Sequence, residues 1–175
     1  MTTTIVTRAG KGAELTFAEI DANFTNLKAT ADAAASAVAA IGAATDTAIS
    51  AHSAAMTSGV AINVQTLSLG VGQWEVTGIV QWYTDTSAIT SFSALRTGLS
   101  STSLTFGDTY DQLVIPGGSA AYNHASVGPI VTSAPAVHFS LATTTTIYLL
   151  AFSYFTVGTG SLNAAGKIHA VKVGN

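Results

Sequence analysis

The spacing of apolar residues changes its period once, near Gly59, and that change divides the chain into two architectures. Before Gly59 the apolar positions step by three and four through an alanine-rich tract. After it, β-branched and aromatic runs alternate and are broken by Gly, Pro and Asn/Asp-type turns. The pattern predicts a mainly β protein with a long N-terminal α-helix. It divides into a polar lead-in at 1–15, a stalk helix at 16–59 and a β head at 60–175.

The helix start is written in Leu15-Thr16-Phe17-Ala18-Glu19, where Thr16 can cap and Glu19 can reach back to its amide. From there Phe17, Ile20, Phe24, Leu27, Ala31, Ala34, Val38 and Ile41 form a heptad seam. Past Ile41 an insertion of four selects Thr45, Ile49, His52 and Met56, a stutter, and Gly59 reads as the terminator. At about 1.5 Å per residue, 17–57 would span roughly 60 Å, longer than the head is expected to be wide. A coiled-coil stalk fits this length better than a helix folded back on its own domain, the alternative that heptads alone leave open.

In the head, the expected strands are 62–69, 73–83, 88–96, 102–106, 110–115, 127–132, 136–142, 145–157 and 166–173. Strands at this spacing predict an antiparallel β-sandwich of jelly-roll type. In the second, Trp74, Val76, Gly78, Val80 and Trp82 share the face expected to point inward. The strand from Ile147 to Val157 is apolar on both faces, so it needs a second cover. Another subunit across a threefold axis would supply one and would add Leu149 and Phe155 to the trimer contacts of Phe17, Ile20, Phe24, Leu27, Val38, Ile41 and Ile49. The alternative is a loop of the same subunit.

Charge chemistry is scarce. Six Lys and Arg against nine Asp and Glu make 9% of the chain, where globular domains carry roughly 25%. A net charge of −3 with dispersed basic residues predicts no nucleic-acid partner. With no cysteine, disulfides, thiol nucleophiles and thiolate metal sites are excluded. Asp32 and Asp46 interrupt the alanine tract, so membrane insertion is not expected, and MTTTIVTRAGKGAELT has no apolar signal-peptide core, which predicts synthesis in the cytoplasm.

Catalytic and metal-binding patterns are correspondingly thin. No G-x-S-x-G elbow surrounds a serine, and Gly70-Val71-Gly72 lacks the G-K-[ST] of a phosphate loop. Glycoside cleavage needs two carboxylates facing a cleft, and the head offers only Glu75, Asp85, Asp108 and Asp111. His52, His124, His138 and His169 show no zinc spacing, and Asp108-Thr109-Tyr110-Asp111 reads as a turn before it reads as a calcium loop. His52, at a seam position, would bring three copies to the axis or lie solvated near a frayed end. No catalytic residue, cofactor or metal is expected. The loop Pro116 to Ser126 is the longest polar, glycine-containing stretch, which makes Tyr122, Asn123 and His124, joined by Tyr83 and Tyr110, the candidate ligand contacts, or else simply a connection.

The segment Lys11-Gly12-Ala13-Glu14-Leu15-Thr16-Phe17-Ala18-Glu19-Ile20-Asp21-Ala22-Asn23-Phe24-Thr25-Asn26-Leu27 resembles the start of many tailed-bacteriophage fibre and minor structural proteins. In those a G-x-x-L-T-x-x-E-[IV]-D-x-N-F-x-N-L motif precedes an alanine-rich coiled coil. Gly12, Leu15, Thr16, Glu19, Ile20, Asp21, Asn23, Phe24, Asn26 and Leu27 match it. The head is loosely similar to the β domains of such fibres, through Gln73 to Gly78 and Gly166 to Val173, although Ala170-Val171-Lys172 stands where an Ala-Arg-Arg type ending is common. The resemblance implies a virion protein: a homotrimeric fibre anchored to other virion proteins by 1–15, with a head for attachment to a host-surface glycan or protein. Two further readings are a capsid- or collar-decorating fibre without a specific ligand and a small polysaccharide depolymerase.

Overall fold

The computed structural model describes residues 4–49, 55–84, 89–107, 110–114, 129–157 and 161–175. They form two units, Met1–Ala43 and Ala44–Asn175.

The first unit holds a short helix α1 (Arg8–Lys11) and a long helix α2 (Phe17–Ala39). The Thr7 side chain accepts from the Gly10 amide at the start of α1, and Gly12 ends it at φ 70°, a left-handed turn that glycine adopts without steric penalty. Helix α2 starts where the sequence predicts. It stops at Ala39, far short of Gly59, so the helix covers only the first part of the expected 16–59 stalk and is about 35 Å long. The Ile41 amide donates to the Val38 carbonyl at 3.0 Å, tightening the last turn, and Gly42 then takes φ 86°. The seam therefore ends near Ile41. Thr45 lies in a strand, Ile49 lies outside the helix, and Met56 is buried in the sandwich core with its amide donating to the Leu162 carbonyl at 2.8 Å. His52 lies outside the described residues.

The second unit contains β1 (Ala44–Asp46), β2 (Ile62–Leu69), β3 (Gly72–Thr84), β4 (Ile89–Ser100), β5 (Tyr110–Val114), β6 (Ile130–Leu141), β7 (Thr145–Val157) and β8 (Leu162–Gly174). They make two four-stranded sheets, ordered β1-β8-β3-β6 and β2-β7-β4-β5, and every pairing is antiparallel. First pairs with eighth, second with seventh, third with sixth and fourth with fifth. That nested pairing, folded into two facing sheets, is a jelly roll. Its first strand, β1, comes from the tract expected to be helical. Segment 102–106, expected as a strand, is turn and irregular backbone, while 127–132 and 136–142 merge into β6. Pro135 interrupts neither: β6 is an edge strand, and the register with β3 shifts between Val76 and Gly78, opposite Pro135.

The alternation in β3 points as expected, with Trp74, Val76, Gly78, Val80 and Trp82 buried. The Trp82 indole donates to the Thr132 hydroxyl at 2.8 Å, and that hydroxyl meets the hydroxyl of Thr97, so three buried polar groups satisfy one another. Leu149 sits against Gly78 and Gly166: a Cβ at either glycine would come within 2.7 or 2.6 Å of a Leu149 methyl. Leu149 and Phe155, expected at the trimer contact, thus lie buried in the core of their own sandwich.

At Leu150 the outer face of β7 is covered within the chain. Leu150, fully buried, lies opposite Asn63 in the register. The Asn63 amide group donates to the Ser103 hydroxyl at 2.8 Å, and its carbonyl accepts from the Leu104 amide at 3.0 Å. These bonds hold the 101–107 segment beside Leu150, and Phe106 meets the Phe152 ring edge-on with centroids 6.4 Å apart. A loop of the same subunit therefore covers part of this face, and Tyr154 beyond it is left 55% exposed.

Candidate functional site

In the N-terminal unit nearly every polar residue of the motif has a structural task. The Glu19 amide donates to the Thr16 hydroxyl oxygen at 3.3 Å, and the Thr16 amide donates back to the Glu19 carboxylate at 2.8 Å, closing a capping box. Lys11 reaches the same carboxylate at 2.5 Å. That ammonium and the two Thr16 bonds favour the charged form and hold the Glu19 carboxyl at about 2, below its ordinary 4.5. Asn23 reads the backbone of the lead-in from both sides: its Oδ1 accepts from the Val6 amide at 2.9 Å and its Nδ2 donates to the Val6 carbonyl at 2.7 Å. Asn26 donates to the Thr4 carbonyl at 2.9 Å. The two asparagines, three apart on one helix face, act as a strand partner would and clip the lead-in along α2.

This clip leaves apolar side chains uncovered. Phe17 is 88% exposed, Phe24 70%, Leu27 58% and Val38 68%, and Ile41 is exposed beyond the helix end. Ile5, Leu15, Ile20, Asn23, Phe24 and Leu27 line a groove of about 260 Å³. Of the residues assigned to trimer contact, the structure thus places Phe17, Ile20, Phe24, Leu27 and Val38 on one helix, Ile20 half-buried and the others open to solvent. Ile49, also exposed, lies on the second unit. The sequence did not reveal that Asn23 and Asn26 would hold the lead-in. The signal available was a pair of asparagines in a helix interior, where they are poor helix formers.

Two groups of side chains stand on the head. On the first sheet Asp46, His169 and Lys167 share the outer face with Thr77 and Ile79 around a shallow hollow of about 180 Å³. His169 Nδ1 is 2.6 Å from Asp46 Oδ1, and Lys167 Nζ is 3.7 Å away. The His169 bond, with the charges of Lys167 and His169, lowers the Asp46 carboxyl below the usual carboxylate range, against the opposing effect of burial. On the second sheet Arg96, Phe152 and Tyr154 make a patch of one guanidinium and two aromatic rings. Tyr83 is half-buried in β3, and Tyr110 opens β5, paired with Gly98. Tyr122, Asn123 and His124 lie outside the described residues. Among the described residues no three His, Asp or Glu side chains come together as a metal site, and no helix is long and apolar enough to cross a membrane.

No protein-family model and no curated protein matches the chain. Among solved structures the chain is similar to the crystal structure of the infectious bursal disease virus VP2 subviral particle, with 12% identity over 75% of this chain and a TM-score of 0.42. It is similar also to a structure of the Gx strain of infectious bursal disease virus, with 14% identity over 78% of this chain and a TM-score of 0.40. The chain spans about a third of the length of either, 33% and 32%. The jelly roll itself is established by the chain's own strand order.

Proposed function

We propose that the chain is a nonenzymatic structural virion protein of a tailed bacteriophage, a homotrimer that meets other virion proteins through its N-terminal unit and displays a jelly-roll head. One observation carries this reading. The motif residues Gly12, Thr16, Glu19, Asn23 and Asn26 are engaged within their own unit, yet Phe17, Phe24, Leu27 and Val38 stay exposed at heptad positions on a single helix. Large exposed apolar residues in line mark an interaction surface, and three parallel copies of α2 would close the seam around one axis. A helix of about 35 Å makes a short stem, which favours a projection standing on the capsid or collar over a long reaching fibre. Host attachment is the second reading, favoured by the aromatic patch on the head. The depolymerase reading has only Glu75, Asp85, Asp108 and Asp111 of the head to draw on, and Asp85 and Asp108 lie outside the described residues.

Sedimentation of the purified chain tests the assembly. The expected species has three times the 17.7 kDa chain mass, and a single-chain mass at micromolar concentration would end the trimer reading.

A further inference from the structure

The outer face of the sheet β2-β7-β4-β5 carries a patch apart from the exposed seam of α2. The Arg96 guanidinium carbon stands 5.7 Å from the centroid of the Phe152 ring. Phe152 meets Tyr154 edge-on with centroids 4.9 Å apart, and Phe106 also meets Phe152 edge-on. Ala94, Arg96, Phe152 and Tyr154 line an open hollow of about 220 Å³. Tyr154 is 55% exposed, so its ring is open to solvent.

The hollow is built rather than incidental. On either side of Tyr154 the backbone is pinned: the Gly59 amide donates to the Ser153 carbonyl at 2.9 Å, and the Phe155 amide donates to the Ser58 hydroxyl oxygen at 2.9 Å. The 57–60 turn comes so close that a Cβ on Gly59 would stand 3.2 Å from the Tyr154 ring. The ring is therefore positioned before any ligand arrives, which lowers the ordering cost of binding.

Charge decides the occupant. Arg96 is the sole Lys or Arg in the four strands of this sheet, and β2, β4 and β7 contain no Asp or Glu, leaving Asp111 of β5 as the sheet's one carboxylate. In a chain of net charge −3 this is a local cation within an aromatic frame. A guanidinium offers a planar fork that matches a carboxylate, while an exposed aromatic ring offers a flat apolar face. The hollow is small and open, so it suits one unit of an extended polar chain better than an enclosed cofactor. We propose that this hollow binds an acidic saccharide, with its carboxylate on Arg96 and the apolar face of its sugar ring on Tyr154. The proposal rests on the attachment reading of the head and not on the trimer.

The test uses the full chain on an array of carboxylated glycans, each printed beside its neutral counterpart. At least one carboxylated glycan should be retained above its neutral partner. Tyr154→Ala should weaken that retention about tenfold, and Arg96→Gln should bring it to the level of the neutral partner. In the unaltered chain, the retained glycan should slow amide exchange in 152–155. Three results would each overturn the proposal: no preference for any carboxylated glycan, a preference that survives Arg96→Gln, or slowed exchange confined to other strands. A fall in sedimenting mass in Tyr154→Ala would also overturn it, since the patch would then be a contact between copies of the chain. If the array fails while particles still adsorb to host cells, attachment belongs to another part of the head. If adsorption is independent of this protein as well, the attachment reading falls with it.

Discussion

Leu149 enters the opposite sheet through a gap that two glycines leave open. A methyl at Gly166 would meet Leu149 at 2.6 Å, Val64 at 2.9 Å and the Ile79 carbonyl at 3.1 Å, and the last of these is backbone that cannot rotate away. Gly166→Ala should therefore lower unfolding stability by about 1–3 kcal/mol in urea titration, and adding Leu149→Ala should fail to sum with it, because each change relieves the other. Glu19 gives a residue-scale prediction in pH. Its carboxyl lies at about 2 in the folded unit against 4.5 ordinarily, so its contribution is complete above 4.5 and is lost as pH falls toward 2. Helical signal from the N-terminal unit, followed by residue-resolved NMR, should fade across that window, and Glu19→Gln should flatten the dependence. The capping box behind this was legible in Thr16 and Glu19 because it is local. The inward face of β3 was legible for the same reason, since alternation needs no knowledge of the partner strand. The fit of Leu149 to Gly78 and Gly166 was not, because it joins strands far apart in sequence. The same holds for the patch of Arg96 with Phe152, which are cross-strand neighbours.

At the scale of elements, the fate of residues 40–49 shows where local preference loses. Alanine and the heptad count favour continuing the helix, yet the chain turns at Gly42 and β1 pairs with β8. Three kinds of bond hold it there. The Thr47 amide donates to the Ile168 carbonyl at 3.0 Å, the Ile168 amide donates to the Thr47 hydroxyl oxygen at 2.8 Å, and Asp46 meets His169. None of these partners lies within a hundred residues of β1, so no window of sequence contained the signal. A three-residue edge strand secured this way should respond to acid. The Asp46 carboxyl is lowered by the His169 bond, so the contribution is present above the ordinary carboxylate value and is lost as pH falls below it. Amide protection at 44–47, taken relative to the intrinsic exchange rate at each pH, should fall on acidification while β3 stays protected. Asp46→Asn should raise exchange at 44–47 already at neutral pH, and an unchanged rate there would remove the latch from Asp46.

For the whole molecule, the trimer makes the sharpest demand on the exposed face of α2. Phe24→Asp places charge on the proposed axis without touching the capping box or the asparagine clip, so the sedimenting mass should fall to that of one chain while helical and β signals persist. An unchanged mass would move the contact away from α2. The nested strand order also has a consequence in time. Every described hydrogen bond of the N-terminal unit joins residues no more than 22 apart, whereas β1 closes on a strand 123 residues later. Local pairings form quickly and distant ones slowly. On a ribosome the lead-in and α2 can be complete and able to find one another among neighbouring nascent chains while the sandwich still lacks its eighth strand. Association would then precede closure of the head, and the order of assembly would follow from the order of synthesis.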